Sequence, residues 1–252
     1  MSIALIDGDI VAYRCAASCM PSKTRPEKED LSVAISRADE LCYRILNSCQ
    51  ADEYRIFISG TDNFRNQLYP EYKANRREII RPEHLDPVRL FLVGEWKASV
   101  TAGHEADDAI GIAANEHSVI CSIDKDLRQI PGEHYNFVKD VFDTVSPYDA
   151  VRNFYTQLLV GDPSDNVAGV AGIGTVKAGR VLGGCTTKEM EVAVRRLYED
   201  ERRYVLNYRL LRIVRSEEEM TEIEDSIRQG QGPSLTAACS FPDLALVSDT
   251  EE

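Results

Sequence analysis

The chain has 252 residues and carries 42 acids against 29 bases, a net charge of −13. With 43% hydrophobic and 28% charged residues it falls outside the collagen-like, coiled-coil and disordered classes, and no apolar run approaches the roughly 20 residues of a membrane helix. The charge alone argues against an indiscriminate nucleic-acid binder, which wants a basic surface, so the placement of the acids matters more than their sum.

In chain order, Ile3 to Ile6 predicts a short buried strand ending at Asp7-Gly8-Asp9, with a helix from about Ile10 to Ser18. The start has no basic leader and meets an acid at once, so no signal peptide is expected. A polar loop from Pro21 to Glu29 precedes a helix over Leu31 to Cys49, and Tyr54 to Ile58 predicts a second strand. Thr61 to Pro87 has no clean period and is rich in bases and aromatics. Val88 to Trp96 and Ala106 to Ala114 predict helices, and Ser118 to Ile123 a third strand. Alternating strands and helices imply an α/β fold with a parallel sheet. Beyond Pro147 the character turns helical, with candidates at Ala150–Leu159, Val176–Leu182, Lys188–Tyr198 and Glu201–Val214. The expected division is a catalytic core over 1–146, a helical subdomain over 147–230 and a loosely held tail over 231–252. Seven cysteines, an odd number with no CxxC pair, disfavour a disulfide framework and point to a reducing, cytoplasmic setting.

Ligands of an open parallel sheet bind at the carboxyl ends of its strands. Asp7 and Asp9 follow the first strand, and Asp124 and Asp126 follow the third. Glu105, Asp107 and Asp108 open the intervening helix, with Glu105 and Asp108 on one face. Asp162 and Asp165 lie further on. Nine such carboxylates repel unless cations lie between them, and hard oxygen donors suit Mg²⁺ or Mn²⁺. Two such ions activate water against a phosphodiester. Taken singly, each group also reads as helix capping or an ordinary turn.

Two further stretches carry the opposite sign or no side chain. Gly169 to Gly179 includes Gly172, Gly174 and Lys177 at a helix start, where free N–H groups meet an anion. Such a hairpin grips a DNA backbone without reading bases, or is a plain interhelical turn. Between Arg65 and Arg81 there are five bases and two acids, interleaved with aromatics, a pattern that suits single-stranded nucleic acid or a solvated loop.

Together these segments resemble the 5′-nuclease superfamily: flap endonucleases, phage 5′→3′ exonucleases and the 5′-nuclease domain of bacterial DNA polymerase I. Leu5-Ile6-Asp7-Gly8, Phe64-Arg65 with Tyr69 to Arg76, Glu105 to Asp108, Asp124-Lys125-Asp126, and Gly161 to Asn166 with Gly169 to Gly174 occur in the family's order. The resemblance implies a PIN-like, mostly parallel sheet flanked by helices, a short helical arch at about 63–87 and a C-terminal helix–hairpin–helix subdomain. It implies a Mg²⁺-dependent enzyme cleaving DNA at 5′ ends, nicks or flaps, a monomer in a phage-type replication or degradation setting. By the same resemblance, Asp7, Glu105, Asp107 and Asp108 hold one ion and Asp162 and Asp165 the second, with Asp124 and Asp126 between. Lys73 faces the scissile phosphate with Arg76 and Tyr72 beside it. Arg14, Arg65, Arg77, Gly172, Gly174 and Lys177 contact DNA, and K⁺ sits on carbonyls near Val167 to Ile173.

The family's aspartate after the second strand is replaced here by Ser59, leaving Asp62 or Asp9 to supply the missing charge. A haloacid-dehalogenase-type phosphatase with Asp7 as nucleophile, and a non-catalytic helix–hairpin–helix DNA binder, are the rival expectations.

Overall fold

The computed structural model of the chain describes residues 2–230; the expected tail over 231–252 lies outside the described residues. In β1 (Ile3–Asp7), Ala4 and Ile6 pack in one apolar cluster while Leu5 packs in another. That split is the period-two signature of a strand covered on both faces. Asp7 caps α1 (Gly8–Ser18), and α2 (Leu31–Cys49) follows a polar loop. Then come β2 (Glu53–Ile58), the single-turn α3 (Phe64–Leu68), a 3₁₀ helix at Ala74–Glu78, and α4 (Leu85–Gly94). The core continues with β3 (Ser99–Val100), α5 (Ala106–Ala113), β4 (Ser118–Cys121), β5 (Gly132–Asn136) and β6 (Val141–Val145). The remaining elements are α6 (Pro147–Val160), β7 (Gly161–Asp162), β8 (Val167–Ala168), α7 (Thr175–Leu182), α8 (Thr187–Leu197), α9 (Glu201–Leu211) and α10 (Glu217–Arg228).

Among the described residues the main sheet runs β3-β2-β1-β4-β5-β6, parallel except for the β5–β6 hairpin. One face is sealed by α1, α2 and α4 through Val11, Ala12, Ala34, Ala38, Ile45, Val88 and Leu92. On the other, Ile110 of α5 packs with Leu127, Ile130 and Ile213. Each fully buried Leu, Ile or Val contributes about 1.5–3 kcal/mol, so these two faces fix which way each strand residue points. The chain winds outward from β1 to β2 and β3, then returns to place β4 on β1's other side. That reversal opens a crevice at the carboxyl ends of β1 and β4.

A second apolar cluster joins α6, α7, α8 and α9 through Phe154, Leu158, Leu182, Met190, Val194 and Tyr204, with Tyr72 docked into it. Two glycines make the link from α6 possible. Gly161 sits at φ +79°, and a Cβ on Gly169 would lie 2.3 Å from the Val160 carbonyl carbon, so the chain crosses itself where no side chain fits.

Three differences from the sequence expectations have physical causes. The β5–β6 hairpin carries mostly polar or exposed residues, which hides an edge pair from hydrophobic patterning. Helix α9 stops at Leu211 rather than running to Val214, because the next backbone groups are needed elsewhere: the Ile213 and Val214 N–H groups donate to Gln129 and Asp108. The highly charged α10, capped by Ser216, buries Met220 and Ile223 on one narrow stripe.

Candidate active site

Six segments deliver side chains to the crevice. At the end of β1, Asp7 is 2% exposed. Its Oδ1 accepts the Ile10 N–H at 3.0 Å and its Oδ2 the Ser122 hydroxyl at 2.7 Å. Burial first, offset by those two hydrogen bonds but reinforced by Asp9 and Asp124, pushes its pKa up to about 7. Ser122 in turn accepts the Asp124 N–H, and Asp124 accepts that of Asp126. This relay orders the turn after β4. Asp126 is also pushed up to about 7, by burial and then by Asp124 and Asp162.

Helix α5 opens with Glu105, Asp107 and Asp108, and the structure separates their roles. Asp107 faces the crevice. Burial and the charges of Asp7, Asp124 and Glu105 raise its pKa well above the carboxylate range. Asp108 points the other way. It is 0% exposed, binds Arg65 through two bonds of 2.6 and 2.8 Å, and accepts the N–H groups of Val214 and Glu105. Burial alone would raise its pKa; the guanidinium and those N–H groups hold it below the usual range.

The pairing corrects two expectations at once. Asp108 is turned away from the other carboxylates and spends its charge on Arg65, so the structure does not bring it into the crevice. Arg65 is 3% exposed and also donates to the Leu210 and Arg212 carbonyls, so it braces the core against the helical subdomain and does not reach DNA.

From the segment between α3 and the 3₁₀ helix, Lys73 bonds Glu105 and lies 3.8 Å from Asp165. Arg76 reaches Asp165 at 2.6 Å, and the Tyr72 hydroxyl lies 3.1 Å from Glu105 and 2.9 Å from Asp165. Lys73 adopts a left-handed backbone conformation at φ +54°, uncommon for a residue with a side chain. Its N–H donates to the Asp165 carbonyl, which holds it there. Burial lowers the Lys73 pKa, but Glu105 and Asp165 more than restore it, so the side chain stays a cation. Asp165 itself is raised, by burial against the pull of Lys73 and Arg76.

Asp162, 1% exposed, accepts from Ser164, from Gln157 at 3.2 Å and from Lys125 at 3.4 Å. Burial would raise its pKa; the Ser164 bonds and Lys125 keep it lowered. Ser122, Lys125 and Gln157 are participants that motif reading missed. Ser122 lies inside the stretch expected as the third strand, which ends one residue earlier, at Cys121; Gln157 lies in a helix with no signal.

Of the two candidates for the missing charge, Asp9 lies at the end of β2 and Asp62 does not. Ser59 caps α5 by accepting the Ala106 N–H, Asp62 is exposed, and Asp9 is tied to the Ser59 N–H and to Arg89. Among the peripheral bases, Arg14 is exposed and lines a cleft of about 800 Å³ with Tyr13, Arg44 and Ile123. Arg77 is exposed, and Lys177 folds back onto the Gly172 carbonyl at 2.8 Å. Gly172 lies at φ +73° and Gly174 caps α7.

No three carboxylate, histidine or cysteine side chains among the described residues form a ready cage for a metal ion. The donor chemistry nevertheless fits a divalent cation. The groups are all hard oxygens, and they raise one another's pKa across the crevice. The ammonium groups of Lys73 and Lys125 bridge carboxylates from separate segments, Glu105 with Asp165 and Asp126 with Asp162. Positive charge is what the crevice calls for.

The protein-family model described as 5′-3′ exonuclease, N-terminal resolvase-like domain, matches residues 2–156. The chain is 29% identical over 192 residues to the 5′-3′ exonuclease of Buchnera aphidicola, covering 68% of this chain and 66% of that protein. It is 27% identical over 199 residues to DNA polymerase I of Chloroflexus aurantiacus, covering 68% of this chain and 21% of that one. The chain thus spans just under two thirds of the first relative and about a fifth of the second. Its fold matches that of the bacteriophage T5 flap endonuclease, solved as a pseudo-enzyme–product complex with DNA and metal ions. The TM-score is 0.58 at 17% identity, over 91% of this chain and 98% of that one.

Proposed function

The chain belongs to the 5′-3′ exonuclease family of the 5′-nuclease superfamily and has its PIN-like fold, and from that membership together with the crevice we propose that it hydrolyses DNA phosphodiesters at 5′ ends, nicks or flaps. The observation that carries this reading is the junction of Lys73 and Arg76 with Glu105 and Asp165. A cationic segment lies directly across the carboxylate edge, so a phosphate placed there meets both charges.

Asp7, Glu105, Asp107, Asp124, Asp126, Asp162 and Asp165 are the residues that would hold Mg²⁺ or Mn²⁺. Two such ions, when bound, lower the pKa of an attacking water and neutralise the leaving oxygen. The remaining work falls to the chain. Lys73 and Arg76 pass from their carboxylate partners to the non-bridging phosphate oxygens, where charge develops. Tyr72 keeps Glu105 and Asp165 in register through its shared hydroxyl. Ser122 fixes the rotamer of Asp7. Arg14 and Arg77, both exposed, and the free N–H groups at the start of α7 near Gly172, Gly174 and Lys177 would hold the duplex backbone away from the cut.

In this reading residues 1–146 form the catalytic unit and 147–230 the helix–hairpin–helix DNA grip, with K⁺ as its carbonyl-bound ion. The chain acts as a monomer in the cytoplasm, in phage-type replication or DNA degradation.

The test is digestion of blunt, nicked, gapped and 5′-flapped duplexes with Mg²⁺, with product sizes resolved. Release of 5′-terminal nucleotides or flaps is the expected result. Binding without any cleavage would leave a DNA-binding protein, and a phosphorylated Asp7 would leave a phosphatase.

A further inference from the structure

Cys49 ends α2 and Cys121 ends β4, and their Sγ atoms lie 3.5 Å apart although 72 residues separate them in the chain. The contact is unequal, since Cys49 is half-buried and Cys121 is 0% exposed. Both belong to the apolar layer between the sheet and α2. A free cysteine is an ordinary small core residue, and the buried Cys15, Cys19 and Cys42 need no other account. This pair differs, because one sulfur is reachable from solvent and the other touches it from the core side.

Both ends of the contact are held. Cys121 is paired with Ile6 of β1 on one side and with Tyr135 of β5 on the other. The Tyr135 hydroxyl donates to Ser48 at 3.0 Å and to Asp140 at 2.7 Å, so the strand beside Cys121 also fixes the residue before Cys49. After Cys49 the chain turns at once: Gln50 is left-handed at φ 49°, and the Ala51 N–H donates to the Leu46 carbonyl. From 3.5 Å, the sulfurs need approach by only about 1.5 Å to reach the disulfide bond length of about 2.05 Å. The two thiols also differ in acidity. Burial pushes the Cys121 thiol well above its ordinary range, so it keeps its proton, and its hydrogen bond to Cys49 pulls the Cys49 thiol down. The thiolate is the reactive form, which makes Cys49 the attacking sulfur and Cys121 the resolving one.

We propose that Cys49 and Cys121 are a reversible oxidation site that closes to a disulfide when the protein meets hydrogen peroxide. The Cys49 thiolate attacks a peroxide oxygen and breaks the O–O bond, giving a sulfenic acid and one water. The Cys121 sulfur then attacks the Cys49 sulfur, forming the S–S bond and expelling the sulfenic oxygen as a second water. Two electrons pass from the sulfurs to the peroxide, and both thiol protons leave in the waters. A dithiol reductant reopens the bond by exchange. Closed, it staples the end of α2 to the end of β4, one residue before Ser122.

The test treats the folded wild-type chain with hydrogen peroxide, alkylates the remaining thiols after denaturation, and maps unreduced peptides by mass spectrometry. The expected result is a linked Cys49–Cys121 peptide and the loss of two alkylatable thiols, both restored by dithiothreitol. The oxidised chain is expected to melt roughly 5–10 °C above the reduced one, because the bond closes a long loop. Cys49→Ser, a change at the half-buried position that leaves the core residue in place, is expected to show no such rise and to keep Cys121 alkylatable. Cys121→Ala is expected to leave Cys49 as a sulfenic acid that dimedone traps. Full alkylation of both thiols after peroxide in the wild type, or a bond from Cys49 to any other cysteine, overturns the proposal. None of these readouts needs DNA, so the proposal stands or falls apart from the cleavage reading.

Discussion

Asp108→Asn removes one charge from an ion pair sealed on both sides, with Asp108 0% and Arg65 3% exposed. Arg65 would keep its bonds to the Leu210 and Arg212 carbonyls but lose its counter-charge in a site without water to replace it. Breaking a buried pair from one side costs about 3–5 kcal/mol. For a chain of this length each kcal/mol moves Tm by about 2–4 °C. Asp108→Asn is therefore expected to melt roughly 6–20 °C below the wild type in EDTA, by thermal circular dichroism. Arg65→Met/Asp108→Leu, which removes both charges, is expected to recover most of that loss, because an apolar pair of similar volume leaves nothing unpaired. The pH dependence has a fixed sign. A carboxylate with a lowered folded pKa adds stability above its unfolded value, about 3.9, and that stability is lost as pH falls through the folded pKa. The gap between wild type and Asp108→Asn should narrow on acidification below about pH 4. A variant that melts within about 2 °C of wild type without metal, and loses only metal-dependent cleavage, would refute the structural role.

Gly169→Ala forces a Cβ to within 2.4 Å of the Leu159 carbonyl oxygen and the Gly161 nitrogen; a loss of about 3 kcal/mol in denaturant unfolding is expected, and an unchanged midpoint would contradict it. Asp7 has a folded pKa near 7, above its unfolded value, so its contribution to metal-free stability is full below about pH 4 and lost as pH rises through 7, on the order of 4 kcal/mol. Added Mg²⁺ should therefore raise Tm more at pH 8 than at pH 5.5, and an equal rise at both would count against Asp7 as a ligand. Lys73→Ala is expected to lower kcat about 100-fold with little change in KM; a fall in affinity alone would make Lys73 a positioning residue.

Hydrophobic patterning exposed β1 and β4 because their residues are buried on both faces, and β2 through its covered end at Ile56 to Ile58; the acids that follow β1 and β4 fell at the sheet edge with them. What it could not resolve is which neighbour on a helix faces where. Asp107 and Asp108 are adjacent, about 100° apart around the axis of α5, so one looks into the crevice and the other into the protein. A signal was present. Asp108 lies among Ala106, Ala109, Ile110 and Gly111, all buried, and an acid set in such a face needs a buried cation. Arg65 could be matched to it only in three dimensions, since the two are 43 residues apart. Ser59, where the resemblance sets an acid, spends its hydroxyl on the Ala106 N–H at the start of α5. The basic segment resisted patterning because it is a single α turn and a 3₁₀ helix, held by scattered anchors, Phe64 and Tyr72 in apolar clusters and Lys73 and Arg76 on Glu105 and Asp165, with no periodic stripe.

The most direct measurement is single-turnover cleavage of a 5′-flapped duplex by Asp124→Asn and Asp162→Asn, with DNA affinity measured separately in EDTA. Both variants are expected to bind DNA as the wild type does and to lose Mg²⁺-dependent cleavage. Wild-type cleavage rates in both would contradict the assignment of this crevice as the catalytic centre.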